Sequence, residues 1–139
     1  MVEDLIQEIL LAAWRNLENF RGEAGLRAWI FGIARHKVED YYRKRIGEAA
    51  SLEDEEHAAE ETVTPHFEEE LDGVARQERT QRILARLPEG YMLVLLWRYR
   101  DEKSVREMAD ATGKTEKAVE RLLARARESF KRRWENDRP

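Results

Sequence analysis

Between Ile46 and Ala75 the chain carries eleven acidic side chains and not one lysine or arginine. A tract of that charge, poor in large apolar residues and interrupted by Pro65 and Gly73, cannot bury enough surface to offset the entropy of ordering it. It reads as a flexible acidic linker over 46–75, with some helical tendency near Glu53 to Glu61. The 139 residues are thereby cut into two pieces, 1–45 and 76–139, each long enough for only a small core. The formal net charge of −4 hides the same division, because residues 1–45 hold 8 basic and 7 acidic groups and residues 76–139 hold 17 and 11. Charges act over only ~8–10 Å at physiological salt, so the acidic average does not argue against nucleic-acid binding by the ends.

Apolar spacing gives the type of each piece. Leu5, Ile9, Ala12, Ala13, Leu17 and Phe20 recur at threes and fours and predict a helix over 4–20. After a break at "RGEAG", Leu26, Trp29, Ile30, Ile33, Ala34 and Tyr41 predict a second, running into the basic end "YYRKR" at Arg45. Past Ala75, "RQERTQRILARL" is helical in period, and Pro88 can open a further helix because its missing N–H costs nothing there. The apolar run Tyr91 to Tyr99 fits a buried strand or a helix. No other strand candidate exists to pair with it, which favours helix and makes the fold class all-α: two small helical modules joined by the acidic linker.

The stretch "SVREMADATGKTEKAVERLLARAR" raises two rival chemistries. Its Gly113-Lys114-Thr115 suggests a phosphate-binding loop, but the glycine such a loop needs five positions earlier is Met108. The other reading is a helix-turn-helix. Ser104 and Glu107 form a capping-box pair, Gly113 suits the positive φ of a tight turn, and Thr115 can cap a second helix. Val119, Leu122, Leu123, Ala126 and Phe130 share one side of that helix. Lys114, Thr115, Lys117, Glu120, Arg121 and Arg125 provide the polar and basic groups a recognition helix presents to phosphates and base edges.

The first module mixes Trp29, Phe31, Tyr41 and Tyr42 with Arg27, Arg35, Lys37, Arg43, Lys44 and Arg45, a combination that can stack bases while neutralising phosphates. With no cysteine and three scattered histidines, His36, His57 and His66, the chain offers no thiolate, metal site or general base, so an enzyme and a cofactor are not expected. The longest apolar run, Tyr91 to Trp97, is too short to enter a membrane as a span, and the absence of a signal-peptide pattern and of cysteine fits the cytoplasm.

Taken together, "DLIQEILLAAWRNLENFRGEAGLRAWIFGIARHKVEDYYRKR" resembles region 2 of the sigma-70 family of bacterial RNA polymerase sigma factors, of the small extracytoplasmic-function (group IV) type. "LARLPEGYMLVLLWRYRDEKSVREMADATGKTEKAVERLLARAR" resembles region 4. The resemblance implies a transcription initiation factor whose partners are core RNA polymerase, promoter DNA and an anti-sigma factor. It places core-polymerase contacts at Asp4, Gln7 and Glu8. Near-element contacts fall at Phe20, Arg21, Arg27, Trp29, Arg35, His36, Tyr41 and Arg43, and the loop through Glu23 captures an unstacked base. Lys117 and Arg121 would enter the major groove of the farther element. His36 stands where the family commonly has Asn. The resemblance also implies a further helix before Asp4, which the chain starts too late to contain. Two other readings are a stand-alone helix-turn-helix regulator and a shortened sigma-like protein that titrates an anti-sigma factor.

Overall fold

A computed structural model describes residues 2–22, 25–55 and 74–137. Among them every regular element is helical: α1 (Val2–Arg15), a 3₁₀ turn (Leu17–Asn19), α2 (Leu26–Glu55), α3 (Val74–Leu84), α4 (Glu89–Leu95) with a π-helical extension (Leu96–Arg100), α5 (Val105–Thr112) and α6 (Glu116–Asn136). The all-α expectation holds, and Tyr91 to Tyr99 is helix. The chain forms two compact units that divide at Tyr42/Arg43, inside α2.

In the N-terminal unit, the helix expected to reach Phe20 stops at Arg15. The Asn16 side-chain amide donates to the Ala12 carbonyl at 2.8 Å, and the chain tightens into the 3₁₀ turn before Phe20 becomes extended. An asparagine that hydrogen-bonds the backbone locally competes with helix continuation. No α1 residue is buried, and Trp14 is 76% exposed. Two helices cannot enclose such side chains on all sides, so this unit forfeits much of the burial its apolar residues offer.

The acidic tract also begins differently from its expected form. Its first ten residues, expected to be linker, continue α2 to Glu55, and Ile46 and Ala50 are completely buried. Helix-forming Ala49 and Ala50 and an apolar side chain at Ile46 outweigh the charge there. Residues 56–73, which hold the rest of the expected linker, lie outside the described residues.

The C-terminal unit is built around α6. Val119, Leu122, Leu123, Ala126 and Phe130 are all buried on its inner side, as their spacing predicts, and Val94, Met108 and Ile83 complete the core. Ser104 Oγ accepts from the Glu107 N–H at 3.0 Å, and the Ser104 N–H donates to Glu107 Oε1 at 3.1 Å, so the capping box is complete. Gly113 takes φ +71° and ends α5, and Thr115 Oγ1 accepts from the Ala118 N–H at 3.0 Å to start α6. At the far end Arg79 donates to the Trp134 carbonyl, lies 3.9 Å over the Trp134 ring and joins Arg82 on Asp137, fastening α3 to the C-terminus of α6.

Ser104→Ala removes one half of the capping box and is expected to cost about 1 kcal/mol in a denaturant titration. Hydrogen bonding by the Ser104 backbone N–H holds the Glu107 carboxyl below its ordinary 4.5, and the Arg82 guanidinium holds Asp137 below its ordinary 3.8. Carboxyls lowered on folding stabilise the fold above their unfolded values, and that contribution is lost as pH falls through the lowered ones. The melting temperature should therefore drop as the solution is acidified past 4.5 and 3.8. Glu107→Gln with Asp137→Asn should flatten that acid limb.

Candidate nucleic-acid interface

The Gly113 turn and the Thr115 cap fix where α6 begins, and its first three turns carry the basic groups. Lys117, Arg121 and Arg125 follow one another at intervals of four and line one face. Lys117 and Glu120 are exposed, while Lys114, Arg121 and Arg125 are half-buried along the margin of the core. The Lys114 N–H donates to Thr112 Oγ1 at 3.3 Å, which holds the turn just ahead of the helix. Thr115 spends its hydroxyl oxygen on the cap, so within the site its role is to set the helix start. The N-terminal end of a helix also favours phosphate through its unpaired N–H groups.

In the N-terminal unit the rings of Phe20 and Trp29 meet at 5.3 Å and 49°, joining the loop after α1 to the first turn of α2. Both are half-buried. Arg21, Arg27, Arg35 and His36 are exposed and Tyr41 is half-buried. Arg43 is exposed but belongs to the C-terminal unit, and Glu23 lies outside the described residues. Of the aromatic residues that the sequence offers for stacking, Phe31 has the most open ring. It is 61% exposed and stands at four residues from both Arg27 and Arg35, so an open aromatic face sits between two guanidinium groups on one helix side.

Asp4, Gln7 and Glu8 are exposed on one face of α1. Val2, Ile6, Leu10 and Trp14, at intervals of four, make an exposed apolar stripe elsewhere on the same helix. In the C-terminal unit a groove of about 240 Å³ runs between α3, the π-helical extension and α6, lined by Leu84, Leu95, Leu96, Tyr99 and Phe130 with Arg100. Among the described residues no three histidine or acidic side chains converge as metal ligands, and no helix is long and apolar enough to cross a membrane.

A capped helix-turn-helix with a basic face, preceded by a second helical unit with aromatic and basic groups on its surface, defines a two-module helical DNA-binding protein. Residues 1–46 match the model of sigma-70 region 2 and residues 77–130 that of sigma-70 region 4. The chain is 31% identical over 132 residues to the RNA polymerase sigma factor CnrH of Cupriavidus metallidurans, which covers 91% of this chain and 69% of the relative. It is 26% identical over 136 residues to the RNA polymerase sigma factor YlaC of Bacillus subtilis, covering 98% and 79%, and 24% identical over 135 residues to the ECF RNA polymerase sigma factor SigM of the same organism, covering 94% and 78%. The chain belongs to the sigma-70 family of RNA polymerase sigma factors, of the extracytoplasmic-function type, and is a transcription initiation factor whose partners are core RNA polymerase and promoter DNA. The region 2 match to residues 1–46 leaves the stand-alone helix-turn-helix reading without an account of a third of the protein.

Proposed function

We propose that the two modules divide promoter recognition between them. The N-terminal half of α6 reads the farther element, with Lys114, Lys117 and Arg125 on phosphates and Arg121 and Glu120 at base edges. Phe20, Arg21, Arg27, Trp29, Arg35, His36, Tyr41 and Arg43 serve the nearer element, where Phe31 adds a stacking surface for a base exposed by melting. Asp4, Gln7 and Glu8 bind core polymerase, and the exposed stripe Ile6, Leu10 and Trp14 suits an apolar partner, an anti-sigma factor included. The factor works in the cytoplasm and performs no catalysis of its own.

The observation that carries this reading is the start of α6, where a positive-φ glycine turn and a threonine cap precede a row of cations, exposed Lys117 and half-buried Arg121 and Arg125, on a helix whose other face is fully buried. Anisotropy titrations of the full chain on matched and scrambled duplexes test it. Arg121→Ala is expected to cost ~1–3 kcal/mol on the matched duplex and much less on the scrambled one. Equal losses on both would make Arg121 a phosphate contact and remove it from the reading set.

A further inference from the structure

The first helix carries more apolar surface than its own unit uses. Leu5, Ile9, Ala12 and Ala13 are half-buried within the N-terminal unit, which accounts for one side of α1. A second apolar row lies beside it. Val2, Ile6, Leu10 and Trp14, with Leu17 in the 3₁₀ turn that follows, are 47–76% exposed. They stand four or three residues apart and so form one continuous strip along the helix. A contiguous apolar surface of this kind, on a helix with no buried residue, marks an interaction face.

We propose that this strip binds a second copy of itself, forming an antiparallel helix pair about a two-fold axis at Leu10. Three observations select that occupant. First, the row is self-complementary, as a two-fold interface must be. With Leu10 against its own copy, Ile6 falls opposite the partner's Trp14, a smaller side chain against the largest, and Val2 comes nearest the partner's Leu17. Second, the charges match in that direction only. Glu3 and Asp4 occupy the first turn of α1 and Arg15 the last, all three exposed, so antiparallel pairing sets the acidic end of each helix against the basic end of the other. Parallel pairing would set acid against acid. Third, the size suits a reversible pair. Five large apolar side chains from each copy, Trp14 among them, bring the contact near the roughly 1,000 Å² at which specific association begins, so a micromolar dimer is expected.

Sedimentation velocity of the full chain, run from low micromolar to hundred-micromolar protein, should show monomer passing into dimer. Leu10→Lys puts two like charges on the axis and should weaken the dimer at least tenfold. Helical circular dichroism should stay unchanged in that variant, because Leu10 is exposed. The chain has no cysteine, so single cysteines report the register. Leu10→Cys is expected to give a disulfide-linked dimer on treatment with diamide. Ile6→Cys should link at least fivefold more slowly, since the two copies of position 6 lie about 12 Å apart along an antiparallel pair, too far for the bond. A chain that stays monomeric over the whole range overturns the proposal and leaves the strip to a partner of different sequence. A dimer that persists in Leu10→Lys overturns it too, by placing the contact on another surface. So does Ile6→Cys linking as fast as Leu10→Cys, which would make the pairing parallel or unordered.

Discussion

Phe130→Ala is expected to remove most of the stability of the C-terminal module. The ring is 1% exposed, stacks against Trp134 at 5.8 Å between centroids, and closes one side of the groove between α3 and α6. Truncating a buried phenylalanine costs about 3–5 kcal/mol because the vacated volume is only partly refilled, and small domains have only ~5–15 kcal/mol in total. The same change also loosens Trp134, on which Arg79 stacks, so the α3 attachment weakens with it. In a urea titration followed by helical circular dichroism, the midpoint of this module should fall sharply, and far-element duplex binding should fail at 37 °C. Phe31→Ala makes the contrast. That ring is 61% exposed, so its removal should leave the urea midpoint within about 0.5 kcal/mol while weakening capture of single-stranded near-element DNA. A Phe130→Ala chain with an unchanged midpoint would mean that α6 is held by something other than this core.

The second large effect is on binding. If Lys114, Lys117 and Arg125 each neutralise one phosphate, three released counterions give a salt slope near −2.7 on logarithmic axes. Raising salt from about 50 to about 200 mM then costs roughly fortyfold in affinity for the farther element. Lys117→Ala, at an exposed position of α6, should lower that slope by about one and weaken matched and scrambled duplexes alike. Arg121→Ala should differ by acting mainly on the matched one. An affinity that hardly changes across this salt range would exclude the basic face of α6 as the DNA surface, whatever its geometry.

Much of the C-terminal module was legible before any coordinates, because its signals are local and redundant. The Ser104–Glu107 box, the Gly113 turn, the Thr115 cap and the apolar row from Val119 to Phe130 each depend on residues within about one or two turns of one another, and all four point to the same helix pair. The family resemblance was equally legible and now stands on matches to both regions. The end of α1 was less so. Asn16 is compatible with either continuing or ending a helix, and its bond to the Ala12 carbonyl depends on the turn that follows.

What the amino-acid order determined by itself, then, is the set of helices, their caps, the inward row of α6 and the basic groups beside it, since period and hydrogen-bonding chemistry act over a few residues. The tertiary structure alone decided three things: that Phe20 finds Trp29, that Phe31 is left open between Arg27 and Arg35, and that α2 runs past Arg45 to lay Ile46 and Ala50 into the C-terminal unit. The last of these reversed a reading from composition. Charge density argued for a linker from Ile46 onward, but whether an acidic helix persists depends on the surface available to its one apolar face. That surface is supplied by Gly90 and Thr112, more than forty residues away, where the absence of a side chain on one glycine permits an approach that no local pattern records.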